Sequence, residues 1–407
     1  MTTRLIFPAS IRFIFSGGVW LRAMLLGTAA VLRAQSLTGH DLADLGSLAS
    51  GGSSAATDID DAGRVVGFSQ VSGPSPLNHA FFYASGTMTD LGSPGFVSTA
   101  AGLNNSGQVV GRVFSLTTSQ GHAFLHDRGT LTDLGTLGGA NSFAAGINAS
   151  GQIVGASEVT TGGPDNAFLY AGGRMTNLGT LGGNYSQAYG INDAGQVVGF
   201  SNITNNIRRH AFLWENGTMT DLGTLGGTAL GGRHSQARGI NASGQVVGFS
   251  QDVGGMGYHH ACLFSGGTIT DLGTLGGDES EANALNDAGL IVGASDLNGH
   301  TVRHAFVHWQ GAMYDLNTAL APLLSNGITP GFTSLTTALA VNADWQVVGI
   351  GDYFDGTAHH PQRAFRVSVA MAPPARDWTR YVTGTITALV VAIIASLLVV
   401  GARRRRP

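Results

Sequence analysis

The chain contains no lysine, a single cysteine and few charges: 11% of its 407 residues are Asp, Glu, Lys or Arg. Ordinary soluble domains carry roughly 25%. One cysteine excludes an internal disulfide and leaves the redox compartment open. Cys262 stands where phenylalanine recurs in an H-A-F pattern, so it reads as a small buried apolar residue and not as a nucleophile. No helical period runs through the middle of the chain. No G-x-S-x-G elbow and no H-E-x-x-H pair occur, and the recurrent Leu-Gly-Gly pairs are not followed by Gly-Lys-Ser/Thr. These absences remove the commonest hydrolase, zinc-protease and phosphate-loop signatures. No cofactor motif and no metal site are expected.

The formal net charge of -4 conceals an uneven distribution. Four arginines (Arg4, Arg12, Arg22, Arg33) lie in the N-terminal leader, and five (Arg380, Arg403 to Arg406) flank the C-terminal apolar run. The remaining 12 arginines face all 25 carboxylates, so the middle of the chain carries -13. Such a body repels phosphate backbones and excludes nucleic acid as a partner. It suits solubility or cation binding.

Glycine, by contrast, is abundant at 62 residues, without the G-x-y period of collagen. It belongs to a pattern written seven times. In the fourth copy the pattern reads G-I-N-D-A-G-Q-V-V-G, then R-H-A-F-L-W-E-N-G, then T-M-T-D-L-G-T-L-G-G. The turn anchors are Asp60, Asn104, Asn148, Asn192, Asn241, Asn286 and Asn342, spaced by 44, 44, 44, 49, 45 and 56 residues. A period in the forties marks a repeat architecture. Each copy divides into four strand-length runs rich in Val, Phe, Trp, Thr and Tyr, separated by Asn-x-x-Gly and other turn residues. Four short antiparallel strands repeated seven times is the sequence form of an all-β, seven-bladed β-propeller of four-stranded blades. The first fourth-strand motif (Asp44) precedes the first complete copy, and the last third-strand motif (Arg363 to Val367) has no successor. Pairing of about 42–48 with about 363–369 would therefore close the ring and remove two sheet edges.

The ends read differently. Residues 1–34 form a signal peptide, with an apolar stretch from Ala23 to Leu32 and a cleavage point after Ala34. The propeller spans 35–371, and a Pro-containing linker spans 372–381. The uncharged run 382–402 is long enough for a transmembrane helix, and 403–407 is an Arg-rich cytoplasmic tail. The expected location is therefore outside the cytoplasm, anchored in the cytoplasmic membrane or cell envelope through the C-terminal helix. This tail resembles the PEP-CTERM sorting tails of bacterial proteins, although A-P-P-A (Ala372 to Ala375) stands near where Pro-Glu-Pro would be.

The repeat itself resembles a known family. H-A-F at His79, His122, His210 and His304, with N-A-F at Asn166, H-A-C at His260 and R-A-F at Arg363, joins the D-L-G-T-L-G-G and I-N-x-x-G-x-V-V-G blocks in fixed order. Over residues 40 to 369 this is similar to the HAF-repeat family of probable extracellular bacterial proteins. The resemblance implies a surface or secreted location and a repeat fold, with no established reaction to carry over. The H-A-F histidines hold equivalent places in different blades, so symmetry spreads them round a ring and denies them a common metal ion.

Connection lengths suggest where a ligand would sit. The connections within strands one to two and three to four keep constant length, whereas the other two kinds vary. In a meander blade the constant turns fall on one face and the variable loops on the other, where binding usually resides. The variable loops nominate Arg233, His234, Asp252, Tyr258, His259, Asp352, Tyr353, Asp355, His359 and His360 as a ligand-binding face. The function expected is an exported, membrane-anchored binding or scaffolding module, whose partners besides the membrane are a glycan, a protein or a divalent cation. An alternative is a lyase or hydrolase acting on a sugar or peptide from the variable face. A second is a structural or adhesion component of the surface.

Overall fold

The computed structural model describes residues 36–372, except 74–76, 93–95, 205, 207, 226–233, 252–256 and 299–301. The expected leader (1–34), the linker beyond Ala372, the apolar run 382–402 and the tail 403–407 lie outside the described residues. Among the described residues no helix is long and apolar enough to cross a membrane.

Seven four-stranded antiparallel sheets form the blades of a β-propeller. Blades 1 to 6 are simple meanders covering 54–90, 96–133, 142–177, 182–223, 235–271 and 280–315. Blade 7 takes three strands from 331–371 and its outer strand, Leu37–Asp44, from the start of the body. That outer strand pairs with His359–Met371 from Leu37↔Met371 to Asp44↔Phe365, with an irregularity between His40 and Ala43. It begins five residues earlier than the sequence suggests and stops at Asp44, whose side chain accepts the Gly46 N–H at 2.8 Å and turns the chain. Between blades 6 and 7 a short α-helix, Leu316–Ala319, buries Leu316 and is capped by the Asp315 side chain.

The core lies between blades. In blade 4, Ala188 and Phe212 face blade 3 and cluster with its Val154 and Ala167, while Val198 and Ala211 face blade 5 and cluster with its Ala237 and Cys262. The phenylalanine of each H-A-F block (Phe81, Phe124, Phe168, Phe212, Phe306, Phe365) is fully buried, at about 2 kcal/mol of transfer free energy each. Cys262 takes that place in blade 5, and burial pushes its thiol pKa up. The glycine of V-V-G has one cause throughout. In every blade the first strand bulges opposite it, and a Cβ at Gly199 would collide with the Gln187 carbonyl oxygen.

The anchor turns interlock round the axis. Asn104 Nδ2 donates to the Asn148 carbonyl (3.0 Å), Asn148 to Asn192 (3.1 Å), Asn192 to Asn241 (3.1 Å), Asn241 to Asn286 (3.4 Å), Asn286 to Asn342 (3.0 Å) and Asn342 to Asp60 (2.9 Å). Each link joins one blade to the next. The second amide hydrogen of most anchors goes to the Gln four residues on, as from Asn192 to Gln196 Oε1 at 2.7 Å. The same anchor's Oδ1 accepts the Gln196 N–H at 3.0 Å. Asp60 has no amide to donate. Arg64 stands where every other blade but blade 6 (Leu290) has Gln, pairs with the Asp60 carboxylate, and donates to the Asn105 carbonyl at 2.8 Å. The aspartate–arginine pair thus does for blades 1 and 2 what asparagine alone does elsewhere. These turns surround a central cavity of about 380 Å³ lined by all seven anchors, which places the first strand of each blade innermost. In blade 7 Trp345 replaces the turn glycine and adopts φ 60°, its ring held edge-on against Trp309 at 4.8 Å.

Asp58 departs from the pattern on the innermost strand, where the other blades have Gly or Ala. Its carboxylate accepts the Leu103 N–H of blade 2 at 2.8 Å and its neighbour Ile59 N–H at 2.9 Å. Burial raises its pKa to about 7 against these hydrogen bonds. The folded protein therefore holds a proton that the unfolded chain releases, so this contribution to stability is complete below about pH 4 and is lost as pH rises through about 7.

Two outcomes follow for purified protein. Asn192→Ala, which orphans the Asn241 carbonyl and the Gln196 N–H, lowers unfolding free energy by about 2 kcal/mol in urea titration. The melting temperature falls as pH rises from about 4 through about 7, and Asp58→Asn flattens that fall.

Candidate functional site

The H-A-F histidines are structural. His79, His122, His210, His260 and His304 each place Nδ1 against the aspartate of the D-L-G or D-L-N block on the adjacent strand, at 2.9, 2.7, 2.7, 2.8 and 3.1 Å. Where the histidine is missing, another polar pair spans the same two strands. In blade 3 Asn166 bonds Asn177, amide to amide. In blade 7 Arg363 Nε donates to Asp44 at 2.9 Å, reaching the strand contributed by the N-terminal segment. The same guanidinium donates to the Ser47 hydroxyl and the Gly52 carbonyl. Asn317, which replaces the D-L-G glycine, exchanges hydrogen bonds with the backbone of Leu335. In the other blades a serine performs that stitching, as Ser235 does to the Ala211 N–H and the Gly223 carbonyl.

The residues nominated by loop length separate into two groups. On blade 7, Asp355 accepts from Thr357, Ala358 and His360 within its own hairpin. The His360 hydrogen bond comes first in holding its carboxyl below the usual range. Asp352 accepts from Ser334 of the same blade at 3.0 Å. His359 packs on Phe354, and Tyr353 lies between Phe332 and the Arg363 guanidinium. The hydrogen bonds of Asp352 and Asp355 stay inside blade 7. Among the described residues no group of three or more His, Cys, Asp or Glu side chains is placed to hold a metal ion. Arg233 and Asp252 lie outside the described residues, and Tyr258 is half-buried at the edge of that gap.

His234 and His259 belong to a different and larger assembly. On the innermost strands, alternate side chains form triplets at equal register. Blades 4, 5 and 6 carry Tyr185–Gln187–Tyr189, His234–Gln236–Arg238 and Glu279–Glu281–Asn283. The same places hold Ser53–Ala55–Thr57 in blade 1, Val97–Thr99–Ala101 in blade 2 and Asn141–Phe143–Ala145 in blade 3. Three consecutive blades thus replace small or apolar residues with large polar ones, at the loop end of the sheets.

Most of these polar groups are partnered across blade boundaries. Tyr185 Oη donates to Asp165 of blade 3 at 3.3 Å and contacts the Gln187 amide, and Tyr189 Oη donates to Gln187 Oε1 at 2.9 Å. Both rings flank Phe200, at 5.8 and 6.0 Å, and the Arg209 guanidinium caps the same ring at 5.0 Å. The Arg209 N–H donates to His234 Nδ1 at 3.2 Å, linking blade 4 to blade 5. Arg238 covers Phe249 at 5.0 Å, pairs with Glu281 of blade 6 at 2.9 Å, and bonds Asn283. Arg303 shares Glu281 at 3.3 Å. His259 packs edge-on against Phe249 at 4.8 Å and approaches Glu279 at 3.9 Å. Burial lowers the pKa of both His234 and His259, with the Arg209 charge adding to it, so both imidazoles are neutral at pH 7. Burial likewise raises Tyr189.

Loop lengths located His234 and His259 but passed over Tyr185, Gln187, Tyr189, Arg209, Gln236 and Arg238. The signal for these was residue identity at fixed distance before each anchor: seven, five and three residues upstream in blades 1 to 6.

Comparison with known proteins gives the fold alone. No family description and no curated protein matches the chain. Among solved structures it is similar to the β-propeller domain of the Trilobed protease from Pyrococcus furiosus, described as having an open velcro topology, at 10% identity and a TM-score of 0.50, over 80% of this chain and 97% of that one. TolB from Acinetobacter baumannii aligns at 12% identity and TM-score 0.38, over 75% and 81%. Dipeptidyl peptidase 4 from Porphyromonas gingivalis aligns at 12% and 0.31, over 48% and 29%.

Proposed function

We propose that this chain is a binding module whose ligand sits at the loop end of blades 4 to 6. We further propose that it is exported, tethered by the apolar run 382–402, and closed into a ring by the N-terminal strand on blade 7. One observation carries the binding reading. The innermost-strand triplets are mostly small or apolar in blades 1 to 3, Asn141 being polar, and mostly large and polar in blades 4 to 6, half-buried except for the buried Gln236. A repeat that needs only to fold has no use for such a sector, whereas clustered polar groups on a rigid scaffold are what a ligand site requires. Aromatic rings, carboxamides and charges of both signs favour a polar ligand over a lipid. The catalytic alternative draws less support, because Asp352 and Asp355 spend their hydrogen bonds within blade 7. The export and tether rest on the charge pattern of the two ends and on the resemblance to HAF-repeat proteins.

The test is a screen of the full-length protein against glycan and peptide panels, repeated with Tyr189→Ala, Gln236→Ala and, in blade 2, Thr99→Ala. The first two variants should weaken whatever binds by about ten-fold or more, with melting temperatures within a few degrees of the parent, and Thr99→Ala should change nothing. Equal behaviour of all three would refute the placement.

A further inference from the structure

Within the sector of blades 4 to 6, Arg238 pairs with Glu281, and Arg303 lies between Glu281 and Asp296. Arg209 is not so paired. Its guanidinium lies on the Phe200 ring, and no carboxylate among the described residues comes within ion-pair distance of it. Its surroundings are Tyr185, Tyr189, His234 and His259, all uncharged at neutral pH, and the Asp165 carboxylate is occupied by Tyr185 Oη at 3.3 Å. Among the described residues Arg208 next to it has no carboxylate partner either, and its buried Nε has no hydrogen-bond partner. This positive spot stands in a body whose arginines are outnumbered two to one by carboxylates. Long-range charge therefore does not explain it; a local anion would.

His234 adds a directed donor. Its Nδ1 accepts the backbone N–H of Arg209, so in the neutral ring the proton resides on Nε2. The two Arg side chains and burial all oppose a second proton. The planar Arg209 fork and the His234 Nε2–H thus offer charge-assisted and neutral donors suited to one carboxylate. Beside them lie the Tyr185 and Tyr189 rings and the carboxamides of Gln187 and Gln236. Rings pack against the C–H face of a sugar, and carboxamides exchange hydrogen bonds with hydroxyls. Among the described residues, none of the large apolar side chains that remain exposed (Phe96, Leu116, Leu131, Val302, Leu323, Ile328) lies on blade 4 or 5, which favours a polar ligand.

We infer that the seam between blades 4 and 5 binds an acidic glycan, with Arg209 and His234 engaging the carboxylate of a uronic-acid residue and Tyr185 and Tyr189 supporting its ring. The inference rests on the binding-module reading and narrows it to a ligand class.

The decisive experiment measures affinity of the full-length protein for an oligogalacturonate, for the same oligosaccharide after carboxyl reduction, and for oligoglutamate. It is repeated with Arg209→Gln and with Arg174→Gln, which removes an equal charge from the exposed outer strand of blade 3. The expected result is a Kd for oligogalacturonate below about 1 mM, weakened about ten-fold by carboxyl reduction and by Arg209→Gln, unchanged by Arg174→Gln, and reduced by added salt. The carboxyl-reduced ligand probes the same interaction without touching the fold. Absence of uronate binding, indifference to carboxyl reduction or to Arg209, or oligoglutamate binding as tightly would each overturn the assignment. If Tyr189→Ala abolishes binding of a neutral glycan while Arg209→Gln does not, the binding module stands and its acidic ligand falls.

Discussion

The asparagine amide at each anchor turn is the interaction on which the rest depends. One side chain, 3 to 7% exposed, fixes its own turn through Oδ1 and reaches the next blade through Nδ2. Both amide hydrogens are used in most blades, and both would be costly to leave unmade at that depth. Aspartate at the same position would keep the turn and lose the link. The one blade that has it, at Asp60, recovers the link through Arg64. Because the links run between neighbouring carbonyls at 2.9 to 3.4 Å, they hold the first strands of successive blades in register round the axis. The bulge opposite V-V-G, the buried phenylalanines and the serine stitches are then repeated in the same places because each blade meets its neighbour in the same way.

Much of this was legible in the sequence. The spacing of Asn104, Asn148 and Asn192 and the alternation of V-V-G with H-A-F announce seven four-stranded blades, since turn chemistry and strand propensity act over a few residues. What escaped was whatever depends on contacts between distant residues. That His210 pairs with Asp221, that Asn166 and Asn177 change together, and that Arg363 reaches Asp44 follow from register, which sequence spacing suggests only after the strands are aligned. The start of the N-terminal strand at Leu37 was missed because the D-L-G motif marks where an outer strand ends and carries no mark of where it begins. The polar sector was missed for another reason. Its residues interrupt no spacing; they change only side-chain identity, while loop length drew attention to Asp355 and His360, which satisfy each other.

The structure therefore divides its labour by position along the strand. At the constant turns and in the inter-blade core, every blade uses nearly the same groups, and two of the substitutions, Asn166 with Asn177 and Asp60 with Arg64, come as compensated pairs. At the loop end of the innermost strands, the same register is free to vary, and in blades 4 to 6 it has been filled with tyrosine, histidine, arginine and carboxamides. Aromatic rings beneath Arg209 and Arg238 hold those guanidinium groups in place at about 5 Å, which limits the entropy lost when a ligand meets them.

The central claim is that scaffold and binding sector are separable. It is tested most directly by replacing Tyr185, Gln187 and Tyr189 together with the Ser, Ala and Thr of blade 1, and recording melting temperature and glycan binding on the same preparation. The account predicts a melting temperature close to that of the parent with binding lost. Retained binding, or a collapse of stability comparable to that from cutting an anchor asparagine, would contradict it.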